Sequence, residues 1–213
     1  MSLTEAIKAR GIKQLLHFTT NRGALGILAT KAIKPRTQLA ADPLLENIFY
    51  PNAADRSRDR AWHNYVNLSI SNVNERFFDI CTNHWHRDKD FWWAVFSVKP
   101  EILLHKGVHF ATTNNMYSGV QRAEGEQGFN SLFSPKIVRW NSNVVHRRPS
   151  MSADSPTCNQ AEVLYPGSLS TDYIQRVYVR SDEYADELAG QISVANHSDL
   201  EIVVDPILFG ALP

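Results

Sequence analysis

Residues 65–71, Tyr-Val-Asn-Leu-Ser-Ile-Ser, alternate polar and apolar character along their length. Successive side chains of a strand point to opposite faces. The segment therefore predicts a strand with Val66, Leu68 and Ile70 on one face and Tyr65, Asn67, Ser69 and Ser71 on the other. A greasy face opposite small polar groups suits a sheet that packs on a core and lines a ligand cleft with its other side. Further strands are expected over Leu15–Thr19, Phe91–Val98, Ile174–Val179 and Leu200–Val204. Helices are expected over residues 3–15, weakened at Gly11, and over Asn21–Lys31, Asn74–Ile80 and 181–194. Residues 35–60 read as irregular. Helices mostly early and late, with strands and polar loops between, make an α+β fold with a largely antiparallel sheet. A doubly wound sheet is disfavoured, because no Gly-rich turn joins a strand to a helix.

Size and charge narrow the class. The 213 residues suffice for one domain, 1–213, that buries its own core. Formal charge is balanced, with 22 basic and 22 acidic residues, so the molecule has no global electrostatic footprint for nucleic acid. The N-terminus lacks the apolar run of a signal peptide, and no stretch approaches the ~20 apolar residues of a membrane span. The two cysteines, Cys81 and Cys158, make no disulfide framework. A cytoplasmic protein is expected, with no membrane partner. Charge is nevertheless uneven locally. From Gln127 to Ala153 there is no Asp or Glu, while Lys136, Arg139, His146, Arg147 and Arg148 all occur. Such a stretch is either a solvated loop or a track for phosphates.

That basic stretch leads into Pro156-Thr-Cys-Asn-Gln-Ala-Glu-Val-Leu-Tyr-Pro166. Read as a strand, it sets Gln160 and Glu162 on one face and Ala161, Val163 and Tyr165 on the other. A carboxylate in an apolar strand is costly to bury unless it has partners or a task. Either Glu162 opens onto a cleft or it is a surface glutamate on a half-exposed strand.

Four segments, in order, resemble the DarT family of DNA ADP-ribosyltransferase toxins. They are Leu16-His17-Phe18-Thr19 with Leu25-Gly26-Ile27-Leu28; Arg58 eleven residues before Ser69, with Asn74 after it; Thr113-Asn114 after Phe110; and Gln160-Ala161-Glu162-Val163-Leu164. They span Leu15 to Val179. No single motif is specific, and the combination carries the resemblance. Three departures stand out: Gly23 where the family usually has Asn, Asp59-Arg60-Ala61 in place of a Leu-Asp-Gly turn, and Asn72-Val73-Asn74 without the usual Phe-Pro.

The resemblance implies an ADP-ribosyltransferase fold, a split and mostly antiparallel sheet with an NAD cleft and flanking helices. It implies transfer of ADP-ribose from NAD to a base in single-stranded DNA with release of nicotinamide, in a toxin countered by a cognate antitoxin that is an ADP-ribosyl hydrolase or a binder. Glu162 is the implied catalytic carboxylate, and Arg58 its partner at the pyrophosphate or acceptor, with Arg56 and Arg60 as rivals. His17, Phe18, Thr19, Gly26, Ser69 and Asn114 are the implied NAD contacts. Gln160 is the implied acceptor contact, and Arg139, Arg147 and Arg148 would guide the strand, with Trp140 either a stacking surface or a core anchor.

Three competing readings remain from the residues. Cys81, His84 and His86, with His63, are zinc-type ligands, but no second cysteine pair completes a structural site, and no metal is expected. A non-catalytic nucleic-acid or partner-binding module is the second. The third is the same fold acting on RNA or protein.

Overall fold

The computed structural model describes residues 2–39, 41–42, 45, 51–53, 57–87, 91–197 and 200–210. Twelve described strands are β1 (Leu15–Thr20), β2 (Ala32–Ile33), β3 (Tyr65–Ile70), β4 (Trp93–Val98), β5 (His109–Ala111), β6 (Arg122–Glu124), β7 (Lys136–Val138), β8 (Val144–His146), β9 (Glu162–Pro166), β10 (Leu169–Ser170), β11 (Ile174–Val179) and β12 (Glu201–Val204). Eight of them form one sheet in the order β12-β11-β4-β1-β3-β9-β5-β6. Every pairing in it is antiparallel except β11 with β12. This is the mostly antiparallel α+β architecture that the sequence predicts.

Six described α-helices accompany the sheet: α1 (Leu3–Arg10), α2 (Asn21–Thr30), α3 (Arg36–Leu39), α4 (Glu75–Asp79), α5 (Gly125–Ser131) and α6 (Asp182–Val194). Local chemistry sets their ends. Ser2 and Glu5 form a reciprocal capping box on α1, and Gly11 closes it in the left-handed region at φ 68°. The Thr20 hydroxyl, at the end of β1, accepts from the Gly23 N–H and starts α2 with no intervening loop.

Alternate residues of β4 enter opposite cores. Ala94, Phe96 and Val98 join the larger one, beneath α1, α2, α5 and α6, whereas Val95 joins a smaller one with Leu16, Val73, Phe78 and Phe209. A strand buried on both sides reads as a continuous apolar run, as β4 does. The sheet is thus packed on both sides at its centre; it shifts register between Ile174 and Arg176 where β11 meets β4, and it opens at the junction of β1 and β3.

Candidate active site

β1 and β3 pair only at Leu15–Ile70 and Leu16–Ser69. Beyond that point β1 stays with β4 as far as Thr20–Trp93, while β3 follows β9 from Leu68–Val163 to Tyr65–Pro166. The sheet forks, and a cavity of about 180 Å³ opens at the fork. His17 is the first residue past the last shared pair. Its Nδ1 lies 3.0 Å from the Asn67 carbonyl oxygen, replacing with a side chain the backbone bond that the fork removes. A carbonyl only accepts, so Nδ1 carries the hydrogen and a neutral ring presents Nε2 as an acceptor. Burial lowers the His17 pKa below the ordinary histidine value, opposed in part by that hydrogen bond.

Glu162, the first residue of β9, is 7% exposed in the cavity wall. Its Oε2 accepts from Asn67 Nδ2 at 2.9 Å and from the Asn115 backbone N–H at 3.2 Å. Asn67 therefore holds His17 with its carbonyl and Glu162 with its amide. Behind Asn115 stands Arg122, which donates Nε to the Asn115 side-chain oxygen and Nη2 to its carbonyl oxygen at 2.6 Å. Desolvation lowers the Arg122 pKa, while the Glu162 and Asp59 carboxylates raise it. A buried carboxylate held by donors with a cation near it satisfies the condition under which such a group is tolerated.

Four buried polar atoms of cavity-lining residues have no hydrogen-bond partner among the described residues: Arg36 Nη1, Asn67 Oδ1, Asn74 Nδ2 and Asn115 Nδ2. Buried polar groups are nearly always paired, and a cluster of exceptions marks a place where a ligand completes the bonding. Donors, an acceptor and a carboxylate thus converge on one concave site.

The structure gathers all six of the implied NAD contacts. His17, Phe18, Thr19, Gly26, Ser69 and Asn114 all line the cavity with Glu162. Thr19 bonds Asn52 Oδ1 at 3.3 Å, and the Phe18 carbonyl accepts from Asn52 Nδ2 at 2.7 Å. The Asn114 side-chain oxygen is engaged locally, accepting from Met116 N at 2.9 Å. Gly23 has a steric reason: a Cβ there would lie 1.9 Å from Thr19 Oγ1.

Other residues lie elsewhere. Gln160 sits in a turn before β9 and not in a strand; it is 2% exposed, its Oε1 accepts from Arg139 Nη2 at 3.0 Å, and it is absent from the cavity wall. Arg58 is exposed outside the cavity, with its guanidinium carbon 4.9 Å from the centre of the Trp140 ring. Arg60 is exposed too, and Arg56 lies outside the described residues. Arg147 donates to the Ser152 and Ser155 carbonyls, both at 2.8 Å, so it braces the chain. Arg148 lines a second cavity, which shares Ser69 with the first. The arginines that do line the first cavity are Arg22 and Arg36. Sequence reasoning missed Arg36, Asp59, Asn115 and Arg122. It set Asn67 on a polar cleft face without giving it a role.

The basic stretch is not one loop. It contains most of α5 and the β7–β8 hairpin, whose tip carries Trp140, 41% exposed. Trp140 is therefore no core anchor. Tyr117 packs against it with ring centres 5.7 Å apart, beside the Arg58 contact. The zinc-type residues do not assemble: no group of three or more candidate ligands occurs among the described residues, and burial raises the Cys81 pKa, opposing the thiolate a metal needs. The Asp88–Asp90 segment lies outside the described residues. No described helix is long and apolar enough to cross a membrane.

The forked sheet is an ADP-ribosyltransferase fold. DarT from Thermus sp. 2.9 in complex with NAD+ shares it at a TM-score of 0.62 and 12% identity, over 92% of this chain and 96% of that one. The same protein in complex with ADP-ribosylated ssDNA gives 0.65 at 12% identity, over 93% and 96%. Thermosipho africanus DarTG in complex with ADP-ribose gives 0.59 at 16% identity, over 92% of this chain and 51% of that one. Direct comparison with curated protein sequences gives no match. A family model described as ssDNA thymidine ADP-ribosyltransferase, DarT, matches residues 16–210, and the chain belongs to that family.

Proposed function

We propose that the chain works as a single domain that transfers ADP-ribose from NAD to thymidine in single-stranded DNA, with Glu162 as the catalytic carboxylate. The observation that carries this reading is the buried Glu162, held by Asn67 and Asn115 at the fork among unpaired polar atoms. Cleavage of the nicotinamide–ribose bond develops positive charge on the ribose, as in glycoside hydrolysis. A fixed carboxylate in a site with little water stabilises that charge. The ribose carbon loses its bond to nicotinamide and gains one to the thymine ring nitrogen, whose proton passes to Glu162. His17 Nε2 accepts from a hydroxyl or amide of NAD. Arg36, with an unpaired Nη1 in the wall, is better disposed than Arg58 to meet the pyrophosphate.

Arg58, Arg139, Arg148 and Trp140 then belong to the DNA path, where a stacked base and nearby cations hold an unpaired strand. Gln160 acts on the acceptor side indirectly, through Arg139. The protein acts in the cytoplasm as the toxin of a toxin–antitoxin or phage-defence pair, with an ADP-ribosyl hydrolase or a binding protein as antitoxin. Family membership supports this role.

The test is incubation with labelled NAD and single-stranded oligonucleotides with and without thymidine. Label should appear only on thymidine-containing strands, and Glu162→Ala should abolish it while circular dichroism stays unchanged. Glu162-dependent nicotinamide release without labelled DNA would redirect the reading to an RNA or protein acceptor. DNA binding without any release would favour a non-catalytic module.

A further inference from the structure

Arg122 touches neither the cavity nor, by any direct hydrogen bond, Glu162, yet it is built into the same unit. Ala111 in β5 pairs with Glu162 of β9 on one side and with Arg122 of β6 on the other. Residues in register across antiparallel strands share a face. Glu162 and Arg122 therefore stand at one level on one face, on either side of Ala111. The guanidinium grips Asn115 twice, through the side-chain oxygen and the carbonyl. It also lies over the Trp62 ring, 5.2 Å from the ring centre. A planar fork bound at two points and backed by an aromatic face has little freedom. The Asn115 N–H, whose direction is thereby fixed, donates to Glu162 Oε2.

We infer that Arg122 is a positioning residue for the transfer reaction: it aims the Asn115 N–H and so holds the Glu162 carboxylate in its reactive geometry. The inference rests on the proposed role of Glu162. Among the described residues, charged or titratable groups around the pair include Asp59, which the Arg122 charge also reaches, His63, 3.7 Å from Asp59, and His17, linked through Asn67. A lysine at 122 keeps the charge and loses the two-point grip. A methionine loses both.

The experiment compares wild type, Arg122→Lys, Arg122→Met and Glu162→Gln, using nicotinamide release with thymidine-containing single-stranded DNA. It adds the pH titration of the Glu162 side-chain carboxyl by NMR in 13C-labelled protein, which needs no turnover. Arg122→Met should reduce kcat by about 10- to 100-fold with little change in KM for NAD. Its Glu162 carboxyl should titrate about one pH unit or more higher. Arg122→Lys should leave that titration in place and still lower kcat. A titration that does not move in Arg122→Met overturns the inference, whatever the rate. Should Arg122→Met fail to fold, Arg122→Lys decides: reduced kcat at unchanged KM and Tm upholds the inference, and wild-type kcat overturns it. Full activity in Glu162→Gln would instead remove the reading of Glu162 on which the inference depends, and the two failures are thus distinct.

Discussion

His17 offers a ligand its Nε2 because Nδ1 is committed to the Asn67 carbonyl. The native state keeps the ring neutral to lower pH than an unfolded chain does. As pH falls through the unfolded histidine value of about 6.5, the unfolded chain takes up the proton first and stability is lost, until the depressed native pKa is passed. Thermal unfolding should therefore show wild type losing more stability than His17→Gln between neutral and mildly acidic pH. An equal loss in both would remove His17 from the acid response. Asn67 shows how far the local pattern reached. The alternation of Tyr65–Ser71 set it on the polar face, but its service to both His17 and Glu162 depends on residues 50 and 95 positions away.

At the scale of elements, β9 and α5 depart most from their sequence expectations. Gln160 and Glu162 share a face only if both are extended. In fact Ala161 N–H donates to the Cys158 carbonyl at 3.0 Å and Gln160 N–H to Cys158 Sγ at 3.4 Å, which folds residues 158–160 into a turn and starts the strand at Glu162. Helix α5 was hidden because Gly-Glu-Gln-Gly-Phe-Asn-Ser has two glycines and no helical stripe. Packing explains Gly128: a Cβ there would lie 2.2 Å from the Ala123 carbonyl oxygen, so α5 rests directly on the backbone of β6. Gly128→Ala should push the helix off that strand and destabilise the protein by about 1–3 kcal/mol, read as a lower denaturant midpoint. Unchanged stability would mean that α5 has room to shift.

Across the whole molecule, the proposed function gives NAD chemistry and DNA contact to separate parts. The cavity lies at the fork of the main sheet, whereas Trp140 stands exposed on a hairpin outside that sheet, in contact with Tyr117 and Arg58. Removing the ring should spare the first and impair the second. Trp140→Ala is expected to keep its KM for NAD within about twofold while DNA labelling falls about tenfold, since base–aromatic stacking is worth ~1–3 kcal/mol. Parallel loss of NAD binding would show that the hairpin shapes the cavity instead. By itself the sequence determined the α+β class, the strands β1, β3, β4 and β11, and the segments that supply His17, Ser69, Asn114 and Glu162, because these are written in short-range periodicity and local motifs. Only the tertiary structure decided that Asp59 turns inward while Arg58 turns outward, that Arg36 faces the cavity, and that Arg122 and Asn115 stand behind Glu162. Those relations join strands distant in the chain, and no pattern within one segment records which distant segment becomes its neighbour.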